Sequence, residues 1–146
     1  NKWDVSEITD MEELFVGFNT FNSNIGDWNV RNVTTMKSMF YNASKFDQDI
    51  SSWNVSNVTN MRGMFHNASI FNQDISSWDV GNVTIMISMF RNARSFNQDI
   101  SSWDVGNVGK SKFTNMFTQA SVEGAGNNAE NEESDVAGSY FTVIAP

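Results

Sequence analysis

A tryptophan recurs every 25 residues along this chain, and this period constrains the fold more than any other feature. The positions are Trp3, Trp28, Trp53, Trp78 and Trp103. A valine follows each of them by two residues, and an isoleucine precedes the last four by three residues. Self-similarity at a fixed period of roughly 20–50 residues is typical of proteins in which each repeat stacks on the next. We therefore predict five stacked units.

The apolar pattern changes within each unit. Residues 50–55 (ISSWNV) are typical of a short strand, whereas residues 61–68 (MRGMFHNA) place apolar side chains at i, i+3, i+4 and i+7, as on one face of a helix. Thr59 stands where the hydroxyl of a helix N-cap is expected. The sequence thus predicts an α/β repeat solenoid, a right-handed coil like that of leucine-rich repeats, with one short parallel strand and one short helix per 25-residue repeat.

Three regions follow from the pattern. Residues 1–121 are predicted to form the five-coil solenoid, with two residues added in the fifth coil. Residues 122–138 are rich in Gly, Asn, Ala and Glu, which indicates an acidic linker of low complexity. Residues 139–146 contain YFTVI, a β-segment that we expect to cap the last coil or to dock on a partner.

Composition argues against several classes of function. The net charge is −8, without a basic stripe, so nucleic-acid binding is not expected. The chain has no cysteine and one histidine, His66, whose place is taken by Tyr41 and Arg91 in the neighbouring repeats. With one histidine and no cysteine, the chain has few of the side chains that form a catalytic nucleophile–base pair, so we predict no enzyme activity and no cofactor.

Aspartates recur one repeat apart and are the only metal candidates. The series is Asp49, Asp74 and Asp99. We expect each carboxylate to accept backbone amides in its own turn; a calcium ion between coils is the weaker alternative, because oxygen ligands suit that ion.

Two further series are predicted to lie in the interior. The tryptophans are predicted to face the core, with each indole N–H needing an internal acceptor; an outward platform for stacking sugars is the alternative. The asparagines are predicted to form a buried amide ladder between coils. This ladder comprises Asn32, Asn57, Asn82 and Asn107.

Variation between repeats indicates where a partner protein binds. Strand-side positions hardly change, whereas helix-side positions differ in charge and size from repeat to repeat. A varied face can recognise one particular surface, and its isoleucines are predicted to be the apolar anchors. The predicted partner-binding residues, including two from the C-terminal β-segment, are Lys37, Tyr41, Arg62, His66, Ile70, Ile85, Ile87, Arg91, Tyr140 and Phe141.

The string FNQDISSWDVGNVTIMISMF, from Phe71 to Phe90, resembles the BspA-like leucine-rich-repeat surface proteins. It is most similar to the shorter repeat of bacterial surface lipoproteins, unicellular algae and protists, and the likeness extends over residues 3 to about 121. The resemblance implies a solenoid related to leucine-rich repeats that serves adhesion or protein binding, with no catalytic residues to carry over.

These observations favour a non-enzymatic adhesion or protein-binding module at the cell surface or outside the cell. The alternative is a structural accessory subunit at the edge of a larger protein complex, such as one on an organellar membrane. Because residue 1 is asparagine, we expect that a targeting segment was removed or left out, which also fits an organelle lumen or stroma. No apolar run approaches the roughly 20 residues of a membrane span, so we expect a soluble chain.

Overall fold

The computed structural model describes residues 3–121, in which each repeat forms one layer and successive layers stack. The predicted linker, 122–138, and the predicted β-segment, 139–146, lie outside these residues. We number the layers 1 to 5 in chain order, and they comprise residues 3–24, 25–49, 50–74, 75–99 and 100–121.

Regular secondary structure is nearly absent from the layers. Residues 3–121 contain no α-helix and no extended strand, and their single 3-10 helix is Lys110–Phe113. Isolated parallel bridges join the layers at Asp10–Thr35, Thr35–Asn60 and Asn60–Ile85. The prediction of an α/β solenoid with one strand and one helix per repeat is therefore wrong.

The segment predicted to be a helix is a series of turns. The amide of Ala43 donates within its own layer to the carbonyl of Phe40 at 3.0 Å, whereas the amide of Phe40 donates to Met64 in the next layer at 2.9 Å. Ser38 and Asn42 have φ values of 53° and 61°, which an α-helix excludes. The apolar side chains have the spacing of a helix face. However, every second amide of the segment donates a hydrogen bond to the next layer instead of to its own.

The segment predicted to be a strand also consists of turns. The amide of Trp53 donates to the carbonyl of Ile50 at 3.1 Å, a three-residue separation that an extended strand does not allow. The predicted helix cap is wrong for the same reason: the hydroxyl of Thr59 donates to the carbonyl of Thr34 in the preceding layer at 3.2 Å. Both segments use their polar groups to close turns or to join layers.

The core is a set of stacked aromatic rings. We call the residues at one repeat position in successive layers a file. The ring of Phe65, which is 0% exposed, lies 5.6 Å between centroids from Phe40 and 5.6 Å from Phe90 in the adjacent layers. Phe71 of its own layer stacks on it at 4.1 Å. The ring of Phe65 thus stacks on the layer before it, on the layer after it and on a second ring of its own layer.

The inward prediction for the tryptophans is confirmed for Trp53, Trp78 and Trp103, which are at most 5% exposed. Each indole N–H donates at 3.1 Å to the carbonyl of an isoleucine in the preceding layer, as predicted. Trp28 is only partly buried, and Trp3 is exposed. The outward sugar platform is therefore wrong for the inner layers.

Candidate functional site

Two files, four residues apart within a layer, carry side chains that change from layer to layer, and we call them the variable face. Their register follows the hydrogen bonds between layers, and the 3-10 helix Lys110–Phe113 absorbs the two extra residues of layer 5. One file contains Glu12, Lys37, Arg62, Ile87 and Thr114. The other contains Val16, Tyr41, His66, Arg91 and Thr118.

The backbone beneath the variable face is fixed by the stacking. The amide of Ser38 donates to the carbonyl of Arg62 at 2.8 Å, and the amide of Gly63 donates to the carbonyl of Ile87 at 2.9 Å. These bonds do not depend on the side chains that project outward. The sequence can therefore vary at these positions without disturbing the stack.

The first file begins with an ion pair between layers. The ammonium of Lys37 contacts the carboxylate of Glu12, and each side chain is about one third exposed, at 33% and 36%. Such a solvent-accessible pair contributes about 1 kcal/mol or less to stability. Its larger effect is to neutralise the positive charge of Lys37.

The second file brings two rings together. Tyr41 and His66 meet edge to face, with centroids 4.6 Å apart and planes at 63°. Burial, and then the nearby positive charge of Arg91, lower the pKa of His66 below its ordinary value of 6.5. The imidazole is therefore mainly neutral at pH 7, so the Tyr41–His66 contact adds aromatic surface rather than charge to the face.

Positive charge on the variable face comes mainly from two arginines. Within residues 3–121, neither Arg62 nor Arg91 forms an ion pair. Ile87 lies half-buried in the same file as Arg62, and Ile85 lies half-buried in a neighbouring file. The face thus combines two guanidinium groups with apolar and aromatic side chains.

Comparison with known proteins places the repeat in a family. The profile of a family described as "Mycoplasma protein of unknown function, DUF285" matches residues 1–86 and, in an overlapping match, residues 31–129. The chain belongs to the DUF285 family. This membership confirms the prediction of a repeat protein. No curated protein and no solved structure matches the DUF285 chain.

The structure brings together most of the predicted binding residues of this DUF285 chain. Six lie on the variable face itself, and Ile85 lies next to it. Ile70 is 40% exposed but belongs to a different file, with Thr20, Lys45 and Ser95. Tyr140 and Phe141 lie outside the described residues.

The aspartate series of the DUF285 repeats accepts amides within its own turns, as predicted. Asp49 accepts the backbone amide of Ser51 at 2.9 Å, and the corresponding bonds of Asp74 and Asp99 are 3.0 Å long. A hydrogen bond from the Ser51 hydroxyl, followed by that from its amide, lowers the pKa of Asp49. Residues 3–121 contain no group of three or more histidine, aspartate or glutamate side chains placed to hold a metal ion.

The predicted asparagine ladder connects the DUF285 layers but is not buried. The side-chain amide of Asn57 donates to the carbonyl of Arg31 at 2.7 Å, and that of Asn82 donates to Ser56 at 2.7 Å. The prediction of inter-layer hydrogen bonds is therefore confirmed. The prediction of burial is wrong, because these side chains are exposed or half-buried at the surface of the turns.

A second asparagine ladder, which the sequence did not predict, also joins the layers. Asn67 donates to the side-chain oxygen of Asn42 at 2.6 Å, and Asn92 donates to that of Asn67 at 2.7 Å. All three residues have φ values near 60°. Asparagine tolerates this left-handed conformation better than most residues. The sequence feature that could have predicted this ladder is the asparagine that directly precedes the buried alanine in each of these three repeats.

Helices able to cross a bilayer are not found in residues 3–121.

Proposed function

We propose that this DUF285 chain is a non-enzymatic module that binds another protein through its variable face. The proposal rests on one observation. The same backbone hydrogen bonds join every pair of layers, yet the side chains are constant in some files and different in others. In layers 3 to 5 the exposed serines 52, 77 and 102 repeat without change, whereas the variable face differs at every layer. A surface that changes over a constant backbone is suited to recognising one partner.

The chemistry of the face indicates the kind of partner. Arg62 and Arg91 offer planar donors to carboxylates, and Tyr41 and Ile87 offer apolar contact area. Arginine and tyrosine are enriched among the residues that dominate binding energy at interfaces. We infer a protein surface with carboxylates around an apolar side chain, drawn to this face by charge complementarity.

We also propose that the chain has no catalytic activity. His66 is the one histidine of the chain, and there is no cysteine. It meets the ring of Tyr41 and the charge of Arg91, and neither is a carboxylate that could orient the imidazole as a general base. A role in packing and recognition accounts for these contacts.

The cellular setting belongs to the same proposal. The similarity to BspA-like surface repeats supports adhesion at the cell surface or outside the cell, with the stacked layers acting as a solenoid scaffold. Presenting side chains on a stack of layers is a common use of solenoid proteins.

A second candidate is an accessory subunit at the edge of a larger complex. Trp3 and Phe18 in layer 1 are 68% and 61% exposed, which favours an apolar contact with another protein. Size-exclusion chromatography of the isolated chain separates the two candidates. A well-behaved monomer supports the adhesion module, whereas aggregation without companions supports the subunit.

Affinity capture with matched variants tests the role of the variable face. The chain is used as bait on an extract of its source cells, beside Arg62→Glu/Arg91→Glu and the control Ser52→Glu/Ser77→Glu. The control adds charge to exposed positions of an unvaried face. An arginine that dominates an interface contributes at least about 2 kcal/mol, or about 30-fold in affinity. We expect one protein to bind the unmodified chain and the control and to be lost from the arginine variant. Equal capture by both variants would contradict the proposal.

A further inference from the structure

The variable face carries opposite charges in different layers. Layer 1 contributes Glu12 to the first file, and Glu13 follows it directly in the chain. Layers 3 and 4 contribute Arg62 and Arg91 instead. One side of the stack therefore presents carboxylates in one layer and guanidinium groups two and three layers away.

Glu13 lies at the border of the second file. Hydrogen bonds between layers place it at the repeat position of Gly63. A Cβ atom on Gly63 would lie 3.9 Å from side-chain atoms of both Tyr41 and His66. By the same register, the side chain of Glu13 begins next to Val16, which holds the position of His66 in layer 1.

The side chains of layer 1 form the kind of surface that the two arginines require. Val16 is 37% exposed, and within residues 3–121 Glu13 forms no ion pair. The outward direction belongs to the repeat position, because layer 2 is covered on both sides and its equivalent side chains are also partly exposed. These are Lys37, Ser38 and Tyr41. The chain thus presents an apolar side chain beside carboxylates on the same face as the arginines.

We propose that the partner of the variable face is a second copy of this chain, whose layer 1 carboxylates bind the arginines of the first copy. This inference rests on the proposed function and names its partner. The two stacks lie antiparallel, related by a twofold axis between layers 2 and 3. Layer 1 of each copy then faces layer 4 of the other, and every contact occurs twice.

Charge favours this arrangement over the alternatives. In a parallel pair, each carboxylate and each arginine would face its own equivalent, and like charges repel. An antiparallel pair shifted by one layer in either direction would place Lys37 or Arg62 on the axis, against its own equivalent. In the proposed pair, Arg91 of one copy faces Val16 and Glu13 of the other.

The middle of the contact joins rings and a shared carboxylate. Tyr41 of each copy faces His66 of the other, and the mainly neutral imidazole adds no repulsion there. Glu12 already contacts Lys37 in its own copy. Because a carboxylate has acceptor sites for a second cation, Arg62 of the second copy binds Glu12 as well.

The contact is small, which determines how it is measured. Two files over four layers cover less than the roughly 800 Å² per partner of a standard stable interface. We therefore expect a dissociation constant between about 10 µM and 1 mM, so that a dilute sample on a sizing column remains monomeric.

Complementary charge reversal tests the proposal by sedimentation equilibrium. The full chain is compared with Glu13→Arg, with Arg91→Glu and with an equimolar mixture of the two variants. Each variant alone presents like charges across the contact, whereas the mixture restores both pairs with their signs exchanged. The control Ser52→Glu/Ser77→Glu changes the net charge by the same amount as Arg91→Glu, on a face outside the contact.

We expect the full chain and the control to approach twice the mass of one chain at about 1 mM. Each variant alone should dimerise at least about 30-fold more weakly, and the mixture should dimerise like the full chain. A full chain that stays monomeric at this concentration would overturn the proposal. A mixture that dimerises no better than its components would overturn it as well.

Affinity capture separates the failure of this proposal from the failure of the proposed function. Capture of the chain itself by the unmodified bait, lost with Arg62→Glu/Arg91→Glu, supports both. Capture of a different protein by a chain that stays monomeric overturns the second copy as partner but leaves the variable face as a binding surface.

Discussion

Replacing Phe65 by alanine should destabilise the stack more than the same change at Phe18. Phe65 is 0% exposed and stacks on three rings, whereas Phe18, in layer 1, is 61% exposed. The change at Phe65 removes roughly 150 Å² of buried apolar surface, which at about 25 cal/mol per Å² is about 4 kcal/mol. This agrees with the usual cost of about 3–5 kcal/mol for a buried phenylalanine. Because less than half of Phe18 is covered, its loss should cost about 1.5 kcal/mol.

Urea unfolding, followed by tryptophan fluorescence, measures both changes. With a slope of about 2 kcal/mol per molar urea, Phe65→Ala should lower the midpoint by about 2 M and Phe18→Ala by less than about 1 M. Two variants of identical chemistry thus report only on their different positions in the stack. A difference in unfolding free energy below about 1 kcal/mol would refute the argument that both adjacent layers contribute to burial.

Three further predictions concern turns and titrating groups. Ser38 has a φ of 53°, so Ser38→Gly should relieve backbone strain and stabilise by about 1 kcal/mol in thermal unfolding; a loss of stability would contradict this. The hydrogen bond from the hydroxyl of Ser76, followed by that from its amide, lowers the pKa of Asp74 below 3.8. Because these bonds favour the charged carboxylate in the folded chain, they stabilise the fold above that pH, and this stabilisation is lost as pH falls through the folded pKa. Acid unfolding of Ser76→Ala should therefore show a weaker loss of stability with falling pH than the unmodified chain, and parallel curves would count against it. Arg91→Gln should raise the pKa of His66 partway toward 6.5 in an NMR titration, because burial, the larger cause, remains; an unchanged pKa would exclude the electrostatic contribution of the arginine.

The fold was predictable in its burial pattern and not in its secondary structure. Met61, Met64, Phe65 and Ala68 were predicted to face inward, and all four are 0% exposed. The helix predicted from their spacing does not exist. Overlapping turns that begin at every second residue bring the same side chains inward. The φ values of 59° at Gly63 and 60° at Asn67 exclude a helix and show that the chain adopts these turns.

The candidate site was predictable as a set of positions. The sequence varies at the repeat position of Lys37, Arg62 and Ile87, and the structure places these three residues in one file. The pairing of Lys37 with Glu12 and the contact of Tyr41 with His66 were not foreseen. They depend on side-chain conformations that only the stacked layers define.

The sequence by itself determined the period, the number of layers and the inward side chains, because a 25-residue register repeats the same apolar positions in every unit. Only the tertiary structure decided how the backbone runs between those positions. An apolar side chain at i, i+3 and i+4 is compatible with a helix or with successive turns. The choice depends on whether an amide such as that of Phe40 finds its acceptor in its own segment or in the next layer, and in this protein the next layer provides it.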